Sequence, residues 1–128
     1  MQVEREILNA PGAPAAVGAY SHAVRAGGLL FCSGQIPLDP ESGEIVGEDA
    51  VEQARRCLEN LQVVCEAAGT SLGRAVRVTL YLLDMAAFAQ IDEVYAGFFA
   101  HEPPARVAIG VAALPRGARV EVDAVVAL

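Results

Sequence analysis

Arg106 stands in a run that is otherwise small and apolar, Pro103-Pro104-Ala105-Arg106-Val107-Ala108-Ile109-Gly110-Val111. The two prolines end any preceding helix, and the valine and isoleucine predict a buried strand. A guanidinium in such a strand needs an anion beside it. Its planar fork suits a carboxylate held by two parallel hydrogen bonds. The strand alone leaves two readings open: an external carboxylate, or an internal ion pair with a buried Asp or Glu. A second candidate is Ser33-Gly34-Gln35-Ile36-Pro37, where Ser33 offers a hydroxyl and Gly34 lets a ligand approach the backbone. By itself this stretch also reads as an ordinary exit from strand to loop.

Other chemistries lack their residues. All nine basic residues are arginines and none is lysine, so no side-chain amine is present to form a Schiff base or hold pyridoxal phosphate. Cys32, Cys57 and Cys65 are odd in number and form no C-x-x-C pair, so neither a disulfide framework nor a zinc site is expected. Cys57 and Cys65, eight residues apart with Leu61 between them, are expected as buried thiols on one helix face. The two histidines, His22 and His101, fall in no metal-ligand spacing. His22 is expected at the surface or an interface, without an assigned role.

The elements that must position these residues are legible. Residues 3–8 predict a short edge strand. Residues 21–26 and 29–33 flank Gly27-Gly28, a two-residue hairpin signal. Residues 34–47, with Pro37, Pro40, Gly43 and Gly47, predict loop. A helix is expected over 48–68, with Val51, Ala54, Leu58, Leu61, Cys65 and Ala68 as its apolar stripe and Gly69 closing it. A strand over 76–83 puts Val76, Val78, Leu80 and Leu82 on one face and Arg77, Thr79 and Tyr81 on the other. Asp84 is placed to cap a second helix over 85–100, with Phe88, Ile91, Tyr95 and Phe98 inward. Strands over 106–111 and 119–127 follow, joined through the turn Leu114-Pro115-Arg116-Gly117. In the last strand Val120, Val122, Ala124 and Val126 oppose Arg119, Glu121 and Asp123. The order β-β-β-α-β-α-β-β predicts an α+β or α/β sandwich.

The 128 residues suffice for one domain, 1–128, with a substantial core. Two amphipathic helices cover one sheet face only. With 54% hydrophobic residues, oligomerisation is expected to cover the other. A net charge of -7 argues against nucleic acid as a partner. No apolar run is long enough to span a bilayer and no signal-peptide pattern is seen, so no membrane partner and a cytoplasmic location are expected.

Taken together, the motifs resemble the RidA/YjgF family, the reactive-intermediate imine/enamine deaminases, along nearly the whole chain. Val17-Gly18-Ala19-Tyr20-Ser21-His22-Ala23 is similar to the family's N-terminal motif. Ser33-Gly34-Gln35-Ile36-Pro37 is similar to its central motif. Pro104-Ala105-Arg106, Leu114-Pro115 and Val120-Glu121-Val122 are similar to its C-terminal signature. The resemblance implies a chorismate-mutase-like α+β fold, a mixed six-stranded sheet with two helices on one face. It also implies a homotrimer with sites in the clefts between subunits, and no metal or organic cofactor. It implies that Arg106 binds the substrate carboxylate, that Glu121 helps to place the attacking water, and that Tyr20, Ser33 and Gly34 line the pocket. Ala108 stands where many members have cysteine, which leaves it a backbone role. Ala19 replaces a usual proline, and Asp92 stands where many members have asparagine. The expected function is hydrolysis of 2-imino or 2-enamino acids to 2-oxo acids and ammonia, with Arg106 and Ser33 clamping the carboxylate. The alternatives are an RNA-cleaving translation inhibitor and a non-catalytic, carboxylate-binding or chaperone-like trimer.

Overall fold

Gly27 and Gly28 both take left-handed φ angles, 58° and 79°, so the chain reverses in two residues as the sequence predicts. This turn joins β2 (Ala23–Ala26) to β3 (Leu29–Gln35), and β1 (Arg5–Leu8) pairs antiparallel with β2 at one sheet edge. The computed structural model describes residues 3–128; Met1 and Gln2, the first two residues of the expected domain, lie outside the described residues.

α1 (Ala50–Ala67) begins at Asp49, whose carboxylate accepts the Glu52 N–H at 2.9 Å. It ends at Ala68, followed by Gly69 at φ 83°. Its apolar stripe is buried against the sheet, with Ala54, Leu58, Leu61 and Cys65 fully covered and Val51 partly so. Cys57 and Cys65 are buried as expected, and Cys32 joins them in the core. β4 (Ala75–Leu82) follows. α2 (Phe88–Phe98) is shorter than the 85–100 expected: Asp84 caps a separate 3₁₀ turn over 85–87, accepting the Ala86 N–H at 2.9 Å. Ile91 and Tyr95 are its buried residues, and Phe99, just past its end, is buried too.

β5 (Ala105–Gly110) runs parallel to β4, and β6 (Val120–Ala127) returns antiparallel between β3 and β4. The result is a mixed six-stranded sheet in the order β1-β2-β3-β6-β4-β5 with two helices packed together on one face. Leu30, Val78, Leu80, Val120, Val122 and Val126 fill the space between layers. Alternation along β6 is as predicted.

Two expectations need correction. The sequence puts Val76 on one face with Val78, Leu80 and Leu82, but it is exposed where those three are buried. The register slips by one residue between Ala75 and Arg77, a bulge that takes Val76 out of the alternation. The strand carrying Arg106 was expected to be buried. Instead β5 is the sheet's edge, paired only with β4, and every residue in it is exposed or half-buried. Val107 and Ile109 join Phe31, 45% exposed, on the face away from the helices. The Tyr81 hydroxyl donates to Asp123 Oδ2 at 2.8 Å on this open face, and that hydrogen bond, with burial second, pushes the Tyr81 pKa up.

Candidate active site

A cavity of about 580 Å³ opens beside the end of β3. Tyr20, Ser33, Gly34 and Glu121 line it, with Ile36 and Leu38 among its apolar walls and Arg116 as its one cationic lining residue. Four of the six site residues expected from sequence are thus brought together.

Two local devices shape it. Between Cys32 and Gln35 the β3–β6 register slips, so Ser33 and Gly34 bulge opposite β6. Glu121, the second residue of β6, fills the space this leaves. A Cβ on Gly34 would collide with Oε2 of Glu121 and lie 3.0 Å from its Cδ. Glycine at 34 is therefore what admits the carboxylate. Burial, and secondarily the charge of Asp123, raise the Glu121 pKa above its ordinary value. No cation among the described residues pairs with it.

The Tyr20 wall depends on His22. This residue, expected at the surface or an interface, is 4% exposed. Its Nδ1 accepts the Ala10 N–H at 2.9 Å, so Nε2 carries the proton and donates to the Pro14 carbonyl at 2.8 Å. The His22 N–H donates to Asn9 Oδ1, and its carbonyl accepts the Ser33 N–H. The imidazole thereby pins residues 10–14, from which the chain reaches Tyr20. The Ser33 hydroxyl donates to the Ser21 carbonyl at 2.6 Å. With its proton committed there, Ser33 offers the cavity its lone pairs rather than a donor for a carboxylate. Behind the lining residues Ile36 and Leu38, buried Asn60 of α1 donates to their carbonyls at 3.4 and 3.0 Å. Buried Gln53 donates to the Gly47 carbonyl and accepts the Arg119 N–H. Sequence reasoning missed His22, Asn60 and Gln53. For the amides the available signal was a polar pair seven residues apart on an apolar helix face.

Arg106 and Ala108 do not line this cavity. Both face the helices from the edge strand, and Ala108 packs half-buried against the core. Nη1 of Arg106 donates to Asp92 Oδ1 at 2.6 Å, and its guanidinium lies 5.0 and 4.9 Å from the ring centres of Phe88 and Tyr95. Within one chain the internal ion pair, one of the two readings left open by the sequence, is the arrangement formed. Its partner is a partly exposed Asp of α2 rather than a buried acid.

The Endoribonuclease L-PSP family profile matches residues 10–128. The chain belongs to the RidA/YjgF family. A RutC family protein of Sinorhizobium fredii is 50% identical over 96% of this chain and 98% of its own length. The mouse 2-iminobutanoate/2-iminopropanoate deaminase is 43% identical over 94% of this chain and 90% of its own. Among solved structures, RidA from an Antarctic Psychrobacter superposes with a TM-score of 0.91 at 40% identity, covering 96% of this chain and 99% of that one. E. coli TdcF, solved with bound serine, gives 0.90 at 37%, covering 96% and 98%. These likenesses bear out the RidA-like fold. No helix among the described residues is long and apolar enough to cross a membrane.

Proposed function

We propose that this chain hydrolyses 2-imino acids to 2-oxo acids and ammonia, in a homotrimer whose cavities are completed by the β5 edge of a neighbouring copy. The observation that carries the reading is the Glu121 carboxylate. It is paired with no cation among the described residues, raised in proton affinity, and seated against Gly34 in a cavity shared with Tyr20 and Ser33. The deaminase name of relatives at 40–43% identity supports it. So does the uncovered edge strand bearing Arg106, with the apolar open face beside it. Two candidate residues, Arg106 and Ala108, do not line the Glu121 cavity of their own chain, and in this reading a second copy supplies them.

In this reading Arg106 grips the substrate carboxylate and fixes the imine carbon, so that water attack becomes effectively intramolecular. The Ser33 lone pairs accept an N–H of the imine. Glu121 takes one proton from water as the water oxygen bonds to the imine carbon, and that proton passes to nitrogen, giving a neutral carbinolamine. Glu121 then takes the carbinolamine hydroxyl proton and passes it to the same nitrogen, so that the C–N bond breaks, ammonia leaves, the carbonyl remains and the carboxylate is restored. A carboxylate whose pKa is raised toward neutral is better matched to this exchange than an ordinary glutamate. Neither metal nor organic cofactor takes part in any step.

The test is ammonia release from freshly generated 2-iminobutanoate and 2-iminopropanoate, with molar mass measured by light scattering on the same sample. Turnover by a particle of three times 13.3 kDa is expected. Binding of 2-oxo acids without turnover would favour the non-catalytic carboxylate binder. The net charge of -7 counts against the RNA-cleaving alternative, and cleavage that disappears with a cavity variant would reverse that judgement.

Asp92 is the local competitor for Arg106. Replacing it with asparagine keeps the shape and removes the rival carboxylate, so KM for carboxylate-bearing imines is expected to fall about three- to tenfold. The ranking of small and bulky imines should also change. Thermal stability should shift little, because partly exposed ion pairs contribute about 0–1 kcal/mol. Identical kinetic profiles for Asp92→Asn and wild type would show that the pair does not restrain substrate binding.

A further inference from the structure

Arg116 sits in the turn between β5 and β6, and it is the only non-glycine among the described residues with a left-handed backbone, φ 58° and ψ 24°. Glycine would adopt this conformation without the steric cost that a Cβ brings. Strain of this kind at a cavity wall points to use of the side chain.

The guanidinium is positioned but not neutralised. Its Nη1 donates to the Gly43 carbonyl at 2.6 Å, and no carboxylate pairs with it among the described residues. The remaining N–H groups have no protein partner there. Loop closure does not need this bond. Asp39 Oδ1 already accepts the Glu41 and Ser42 N–H groups at 2.9 Å, the Gly43 N–H donates to the Asp39 carbonyl, and Leu38 bridges Ile45. What remains is an oriented cation in the wall of the cavity that also holds Glu121. About 580 Å³ is within the range of cavities that hold drug-sized ligands, several times what a three- or four-carbon acid fills.

We propose that Arg116 is a second anion-recognition residue of this cavity, selecting 2-imino acids whose side chain carries a further carboxylate. The inference rests on the imine-hydrolase reading for its substrate class: Arg106 of a neighbouring copy takes the 2-carboxylate, and Arg116 takes the distal one. A guanidinium without a carboxylate partner favours an anionic group over a neutral one of the same size, because a charge-assisted pair forms where none exists among the described residues.

The experiment compares binding of 2-oxoglutarate and 2-oxobutanoate to the full chain by calorimetry, alongside turnover of the two corresponding imines. The variants are Arg116→Gly and Arg116→Lys. Glycine suits the left-handed backbone, so the melting temperature of Arg116→Gly should equal or exceed that of wild type. Wild type should prefer the dicarboxylate, and Arg116→Gly should reduce that preference about 10- to 100-fold. Arg116→Lys should keep part of it. An unchanged ratio, or an equal loss for both ligands, would overturn the proposal and leave Arg116 a loop contact. If neither imine turns over but the binding ratio depends on Arg116, the hydrolase reading fails and the anion site stands. If both turn over with no dependence on Arg116, the anion site alone fails.

Discussion

Glu121→Gln is expected to lower kcat/KM for imino-acid hydrolysis by about 10²–10⁴-fold, the usual contribution of a positioned acid–base group, while making the folded chain more stable at neutral pH. Both effects come from one feature. The carboxylate is partly buried, faces the Asp123 charge and is paired with no cation among the described residues, so the folded chain holds its proton more tightly than the unfolded chain does. Below the ordinary glutamate value of 4.5 both states are protonated and nothing is lost. As the pH rises past that value, the unfolded chain releases its proton first, and stability falls until the pH exceeds the raised folded value. Glutamine keeps the shape against Gly34 but carries no charge. The gap in melting temperature between variant and wild type should therefore be absent in acid, open as the pH climbs past 4.5, and then level off. Gel filtration and thermal melts across this range would check stability, with single-turnover ammonia release reporting the chemistry. Near wild-type turnover would remove Glu121 from the mechanism. A stability gap that does not vary with pH would mean that burial of its charge is not the cause.

The elements were legible where the signal is local. Gly27-Gly28, the α1 stripe with Gly69 behind it, and the alternation of β6 each follow from spacing and side-chain type. What failed depended on contacts distant in sequence. The bulge that exposes Val76 exists only because β4 pairs with β6, and nothing between residues 75 and 77 announces it. β5 reads as buried because its valine and isoleucine look like core residues, yet strand order leaves it at the edge, where those residues face outward. The fate of His22 turned on three partners from residues 9–14 folding over it. The Leu114–Gly117 turn was predicted, but not that Arg116 rather than Gly117 alone would enter left-handed space. For the candidate site, the family motifs selected Tyr20, Ser33, Gly34 and Glu121, and the fold gathers these four in one cavity. Residue patterns alone had left Ser33-Gly34 as an ordinary loop exit. The same motifs selected Arg106 and Ala108, whose separation from the cavity is a property of the tertiary arrangement.

That separation gives the conservative change Arg106→Lys its discriminating power. In the single chain Arg106 uses one nitrogen on Asp92 and rests against Phe88 and Tyr95, an arrangement that a lysine ammonium could largely imitate. If holding Asp92 is all it does, Arg106→Lys should retain its activity. If instead the fork grips a substrate carboxylate through two parallel hydrogen bonds, a point charge loses both the second bond and the fixed orientation. The expected cost is about 2–4 kcal/mol of transition-state stabilisation, about 30- to 1000-fold in kcat/KM. Melting temperature and assembly mass should change little, because the Asp92 pair is partly exposed and lysine retains the charge. Asp92→Asn separates the two roles further. Removing the rival carboxylate should improve carboxylate binding in the arginine background, whereas Arg106→Lys should remain impaired whether residue 92 is Asp or Asn. On the substrate side, esterifying the carboxylate should cripple wild type and scarcely affect Arg106→Lys beyond its existing loss. Near wild-type efficiency in Arg106→Lys, or a loss traced to unfolding or to a failed assembly, would return Arg106 to the role of a structural partner for Asp92.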